Sequence, residues 1–225
     1  MTDHRERDLF QRVAAAAEPR FGDDAAHDRH HAWRVFELAT RIAEAEGGDV
    51  EVVGAAALVH DLHRAREDGG EFVHPRETLP EVREVLDEAG YPVEKVGDVC
   101  HCVAVHEEYD FEADPDAAET LEAEILQDAD NLDALGAVGV ARAFAYGGAR
   151  GNRLWDPDRP LPDGPYEKSG GADGGPGSTY HHVHAKLLRL HEHVNTETGR
   201  DLAAERHAFL EAFATRFEEE WRGER

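Results

Sequence analysis

An alanine-rich apolar run, Gly54-Ala55-Ala56-Ala57-Leu58-Val59, stops abruptly at His60-Asp61 before apolar character returns at Leu62. A segment of this composition belongs in a protein interior, so the imidazole and the carboxylate at its end are carried inside with it. Buried polar groups of this kind need either hydrogen-bond partners or a bound cation, because stripping water from them without compensation costs several kcal/mol. An isolated His-Asp dipeptide occurs by chance in many proteins and by itself favours the first over the second. The rest of the chain has to decide between them.

That rest reads as helix. Leu9, Phe10, Val13, Ala14 and Ala17 are spaced three and four apart and stop before Pro19, which predicts an amphipathic helix over 3–18. A second helix, about 27–46, stacks His31, Val35, Leu38 and Ile42 on one face, so His31 lies on a buried stripe. The third, 50–60, aligns Val53, Ala57, His60 and Arg64, and a loop over 66–76 then carries His74 and Arg76. Pro80 opens a fourth helix with Val82, Val85, Leu86 and Ala89, ended by Gly90-Tyr91-Pro92. A fifth, 93–106, puts Val96, Val99, Val103 and His106 on one side. His101 is turned away from His106 by about 140° at about 100° per residue, so one of the two at most faces a common point squarely.

Residues 117–146 carry a helical pattern (Leu121, Ile125, Leu126, Ala129, Leu132, Leu135, Val138) interrupted by acids in 127–133. Asp130 follows Leu126 by four and turns to the apolar side, whereas Asp128 and Asp133 read as solvent-facing acids. From Gly147 to Gly177 glycine and proline dominate, which predicts a long flexible loop, or a flap over a substrate using Trp155, Tyr166 and Lys168. Helical signal resumes at Ser178 with His182, Leu187, Leu190 and His191. It returns after Asn195-Thr196-Glu197-Thr198-Gly199 through Phe209, Phe213, Phe217 and Trp221. With no strand pattern and no repeat, the expectation is one all-α domain over 1–225, a helical bundle interrupted at 147–177.

Composition narrows the function classes. With 49 acidic against 24 basic residues the net charge is -25, and the lysines are Lys95, Lys168 and Lys186 alone. A long nucleic acid needs a basic stripe and is excluded as a partner. Short acids in place of lysines suit a salt-accumulating, halophilic cell, where about 1 M salt screens charge within about 3 Å. Cys100 and Cys102 diverge on a helix and read as packing residues in a reducing compartment. No run approaches the about 20 apolar residues needed to span a bilayer, and the first residues form no signal core. The expectation is a soluble, cytoplasmic protein with no membrane partner and an oligomeric state that the sequence leaves open.

His31, His60-Asp61 and Asp130 resemble the signature of the HD-domain superfamily of metal-dependent phosphohydrolases. Two further stretches sharpen the likeness: Asp28-Arg29-His30-His31-Ala32-Trp33-Arg34-Val35, and 127–142 from Gln127-Asp128-Ala129-Asp130 to Ala141-Arg142. Cys100-His101 with His106, the stretch His182 to Leu190, and Asn195-Thr196-Glu197-Thr198-Gly199 add to it. Together these cover 4–221 and resemble a branch of small single-domain members that includes bacterial nucleotide pyrophosphohydrolases. In two places the chain departs from related patterns. Leu62-His63-Arg64 replaces the acids that follow His-Asp in ppGpp hydrolases, and Glu107-Glu108 follows His106 where the branch has a small polar residue.

The resemblance implies a helical HD-domain fold and one divalent metal ion held by His31, His60, Asp61 and Asp130. Two imidazoles with two carboxylates favour Mn²⁺, with Fe²⁺, Co²⁺, Ni²⁺ or Mg²⁺ as alternatives. Such an ion keeps two octahedral positions for a water and a substrate oxygen. Asp61 is the candidate catalytic group that orients the water, and Arg34, Arg64, His101, His106, His182 and Lys168 are the candidate substrate-binding groups. His63, His74, His181, His184, His191 and His193 read as solvated. The expected substrate is a small phosphorylated molecule, a nucleotide, with hydrolysis of a nucleoside triphosphate at a pyrophosphate bond as the leading reaction. The alternatives are a phosphomonoesterase or cyclic-nucleotide phosphodiesterase with a second metal recruited by His101 or His106, and a non-catalytic nucleotide-binding regulatory module.

Overall fold

The computed structural model describes residues 4, 6–22, 28–67, 72–107, 118–162 and 177–225. Among them the secondary structure is helical throughout apart from a single isolated bridge between Arg153 and Ser178. The helices are α1 (Asp8–Ala17), α2 (Arg29–Glu46), α3 (Val50–Val59), α4 (Leu79–Glu88), α5 (Val96–Val105), α6 (Leu121–Asp133), α7 (Gly136–Ala149), α8 (Thr179–Ala185) and α9 (Glu197–Trp221). Short 3-10 segments, Leu62–Arg66 and Leu187–His193 among them, lie between these. The all-α expectation is met.

Local chemistry sets the helix ends. The Asp28 carboxylate accepts from the His31 amide at 2.9 Å at the start of α2, and Asp49 accepts from Glu51 and Val52 at the start of α3. Gly47 closes α2 in the left-handed conformation, at φ 84°. The alanine-rich run becomes α3, buried from Val52 to Val59. Its small residues let neighbours come close: a Cβ on Gly54 would lie 2.7 Å from the Phe10 ring and 2.9 Å from the Phe36 ring. α2 packs along α3 and α6, α5 packs across both α3 and α6, and α9 crosses α6 and α7. The core therefore runs through α3 and α6, and the ends of these two helices carry the polar groups.

The first helix, expected over 3–18, begins at Asp8, and two boundaries further on also differ from the sequence expectation. The pattern over 117–146 is two helices, broken at Ala134-Leu135, and Gly136 opens α7 at φ 70°, a conformation that a side chain would strain. Gly147 and Gly148 are helical residues of α7 and not the start of a loop. A Cβ on Gly147 would lie 2.1 Å from Thr179 Oγ1, so this glycine serves the close approach of α7 and α8. Beyond α7 the chain is tied back to α8, where Thr179 and Tyr180 donate to the carbonyls of Arg153 and Leu154. Trp155 is buried against Tyr180 and Trp221. The flap residues Tyr166 and Lys168 lie outside the described residues. Cys100 and Cys102 are both buried, as expected of packing residues, and burial raises both thiols. No described helix is long and apolar enough to cross a membrane.

Candidate metal centre

α2 delivers His31 from its first turn, the end of α3 delivers His60 and Asp61, and α6 delivers Asp130 from its last turn. The three segments meet. His31 Nε2 lies 3.2 Å from Asp61 Oδ2, 3.3 Å from Asp130 Oδ1 and 3.2 Å from His60 Nε2. His60 Nε2 lies 3.4 Å from Asp61 Oδ2 and 3.9 Å from Asp130 Oδ1. These separations suit His31, His60 and Asp61 as neighbouring ligands of one ion, since ligands about 2.1 Å from a first-row metal sit about 3 Å apart, with Asp130 adjoining them through His31 and His60.

The imidazoles are oriented from behind. His60 Nδ1–H donates to the Ala57 carbonyl at 2.8 Å, a contact made possible because the backbone leaves the α-helix there. That bond makes the inward Nε2 a lone-pair donor. His31 Nδ1–H donates to Asp133 Oδ2 at 2.7 Å. Asp133 in turn accepts from the Arg34 fork at 2.8 and 3.0 Å and from Arg142 at 2.8 Å.

Electrostatics separate the two histidines. Burial disfavours the charged form of His31, but Asp130, Asp133 and Asp61 together outweigh it and carry its pKa to about 10. His60, also fully buried, is held down to about 4, burial prevailing over Asp61 and Asp130. Burial opposes the ionised form of Asp130 as well, yet His31 and His60 hold it well below the carboxylate range. Without an ion, a proton on His31 thus supplies the positive charge that the carboxylates require.

The remaining candidates occupy distinct places. His106 is fully buried beside His60, ring centroids 5.0 Å apart and perpendicular, with its Nε2 3.8 Å from Asp61 Oδ1. Arg64 pairs with Glu107 and Glu67, and its Nε lies 3.6 Å from Asp61 Oδ1. Arg34 sits one residue removed from the donors, on Asp133. His101 is partly buried on α5, its Nε2 without a hydrogen-bond partner among the described residues. His182 is partly exposed on α8, its pKa held to about 4 by burial and by Lys186. Lys168 lies outside the described residues.

Several expectations are corrected. Asp128 and Asp133 are 0% and 2% exposed and not solvent-facing, and His63 and His181 are buried at 0% and 1%. Asp128 accepts from the Asn195 and Thr196 amides and both their side chains, fastening the start of α9 to α6. His181 bridges Ser178 and the Arg159 carbonyl. Asp133, Arg142, His63 and Glu107 are neighbours of the site that sequence reasoning missed. Only Asp133 left a signal, since a residue three after Asp130 lies on nearly the same side of a helix.

Comparison with known proteins gives the family. Residues 29–135 match the HD domain family. The chain is 35% identical over 201 residues to the uncharacterized protein YpgQ of Bacillus subtilis (strain 168), covering 88% of this chain and 86% of that one. It belongs to the HD-domain superfamily of metal-dependent phosphohydrolases. The structure of Bacillus subtilis YpgQ in complex with ADP superposes on this HD protein with a TM-score of 0.68 at 31% identity, covering 94% and 97% of the two chains. An HD-superfamily hydrolase from Bacillus thuringiensis gives 0.67 at 31% identity, with 95% of each covered. The residues fit the divalent ion that HD phosphohydrolases use: two imidazole nitrogens 3.2 Å apart, both on buried residues, stand beside carboxylate oxygens of Asp61 and Asp130, a mixed nitrogen and oxygen donor set that suits such a cation.

Proposed function

We propose that this HD enzyme hydrolyses a small nucleotide, cleaving a nucleoside triphosphate at a pyrophosphate bond to give the nucleoside monophosphate and pyrophosphate. The observation that carries the reading is the convergence of His31, His60, Asp61 and Asp130 on one point. It is supported by the ADP bound to YpgQ, which covers nearly the whole of this chain. The ion, with Mn²⁺ favoured, would be held by these four side chains and would supply Lewis acidity toward a phosphoryl oxygen and acidity to a water.

The protein's own groups do the remainder. His60 and His31 present lone pairs because their Nδ1–H groups are committed elsewhere. Asp61 uses one carboxylate oxygen as a ligand and the other, Oδ1, to orient the attacking water and take up its proton. Arg64 and His106 border that oxygen and receive the charge that develops on the phosphoryl group. Arg34 keeps Asp133 ionised behind His31, while His101, His182 and Lys168 are proposed to bind the distal part of the nucleotide. The net charge of -25 disfavours a long anionic polymer, so the attraction for a small phosphorylated ligand has to come from local cationic groups, with salt screening the remaining repulsion.

Purified protein with Mn²⁺ and a panel of nucleotides in high salt tests this by product separation. Monophosphate plus pyrophosphate is expected. Release of orthophosphate from monophosphates or opening of cyclic nucleotides would assign a different bond, and tight nucleotide binding without product would make the chain a regulatory module. Turnover unaffected by His60→Ala would reject the site.

A further inference from the structure

The end of α6 is crowded by arginines. Arg34 of α2 and Arg142 of α7 both donate to Asp133, their side chains 36% and 15% exposed over a carboxylate 2% exposed. Arg206 of α9 reaches the same place from a third direction, donating through Nη1 to the carbonyl of Leu132, one residue before Asp133. It also lies against the start of α7, since a Cβ on Gly136 would be 3.3 Å from Arg206 Cβ. Among the described residues no carboxylate is within ion-pair distance of this partly buried guanidinium, in a chain with 49 acids. Burial lowers the pKa of Arg206, Asp133 opposes that, and Arg41 of α2 adds to it.

Charge here runs against the rest of the molecule. Arg34, Arg142, Arg206 and the exposed Arg41 are opposed by Asp133 and, acting on Arg34 from longer range, by Asp28. Asp61 and Asp130 turn to the metal centre at the other nitrogen of His31. The structural tasks at this spot, keeping Asp133 ionised and capping the last carbonyls of α6, leave positive charge over. Guanidinium groups gathered in a partly desolvated place repel one another unless an anion joins them. Nor are their donors used up. Arg34 spends Nε and Nη2 on Asp133 and keeps Nη1, while Arg206 spends Nη1 and keeps Nε and Nη2.

We propose that Arg34, Arg142 and Arg206 bind a phosphoryl oxyanion beside the metal centre. Planar N–H forks from three helices suit the tetrahedral oxygens of such a group better than a single point charge would. Asp133 couples the two places: its Oδ2 is 2.7 Å from His31 Nδ1 and 2.8 Å from Arg142 Nη1. The anion can come from two sources, the terminal phosphoryl group of the nucleotide or a free phosphate or pyrophosphate ion. Only the first of these rests on the proposed hydrolase reading.

Inorganic pyrophosphate is titrated calorimetrically into the full chain at fixed KCl with a chelator present, so that no ion in the metal centre can hold it. Binding is expected, and Arg206→Gln should weaken it about tenfold, as for the loss of one charge-assisted hydrogen bond, with Mn²⁺ binding unchanged. Pyrophosphate should also slow the modification of Arg206 by phenylglyoxal, read by mass spectrometry, and this carries the test if Arg206→Gln loses its helicity. No binding to the parent protein, equal affinity in Arg206→Gln, or modification of Arg206 at the same rate with and without pyrophosphate would overturn the proposal. Turnover of the Mn²⁺-loaded protein separates the sources. A KM for nucleoside triphosphate raised in Arg206→Gln assigns the terminal phosphoryl group, and an unchanged KM assigns the free anion. Pyrophosphate bound through Arg206 in a protein that cleaves no nucleotide would refute the reaction and keep the anion site. Cleavage with pyrophosphate indifferent to Arg206 would do the reverse.

Discussion

His31 Nδ1 and Asp133 Oδ2 are 2.7 Å apart although 102 residues separate them in the chain. This contact aims the other nitrogen of His31 at Asp61 and Asp130, and Arg34 and Arg142 hold Asp133 ionised so that it persists. Burial opposes the Asp133 carboxylate, yet His31 and Arg34 bring it down to about 2.

Asp133→Ala should therefore weaken Mn²⁺ binding about 10–100-fold, the usual effect of losing the group behind a histidine ligand. Competition against a chelator measures it. Unchanged affinity in a protein that keeps its helicity would show that His31 is oriented by other means.

The metal-free protein should hold a proton on His31 that the metal displaces. With the folded pKa at about 10, binding at pH 7–9 releases about one proton, and affinity climbs about tenfold per pH unit until His31 titrates. The same shift fixes the sign for stability. Because the folded value lies above the ordinary 6.5, the contribution of His31 is complete below pH 6.5 and is lost as pH rises toward 10. Calorimetry in buffers of different ionisation heat reads the proton, and thermal midpoints of the metal-free protein read the slope. Binding heats independent of buffer would contradict the assignment.

Asp128→Ala should loosen α9. The carboxylate accepts from the Asn195 amide at 2.7 Å and from the Thr196 amide and hydroxyl at 2.8 and 2.7 Å, so its removal strands buried donors at a cost of about 3 kcal/mol. Burial raises Asp128 to about 6, against the pull of Asn195 and Thr196, which marks how far this carboxylate is from water. Urea unfolding tests the prediction, and a midpoint unchanged from the parent protein would refute it.

Added KCl should stabilise the fold. The excess of 49 acidic over 24 basic residues repels itself at low ionic strength, and about 1 M salt confines that repulsion to about 3 Å. The thermal midpoint should rise between dilute buffer and molar KCl. A flat or falling midpoint would remove the halophilic reading.

One-dimensional spacing in the amino-acid sequence was enough to place the groups that share a helix face. His31, Val35, Leu38 and Ile42 are buried together because a helix returns to the same face every three to four residues. His60-Asp61 ends α3, and Asp130 follows Leu126 onto the same side of α6, for the same reason. The misplaced acids show where spacing stops being informative. An α6 with one apolar face would leave Asp128 and Asp133 in water, but α2, α3, α5, α7 and α9 surround it, and a central helix has no solvent side to offer. His63 and Arg64 escape spacing for a different reason: α3 ends at Val59 and the chain continues as a 3-10 segment over Leu62–Arg66, so the 100° phase that aligned Val53, Ala57, His60 and Arg64 no longer applies. Local periodicity determined which helices form and which donors they carry. Only packing decided which carboxylate stands behind which imidazole, because that depends on contacts between segments a hundred residues apart.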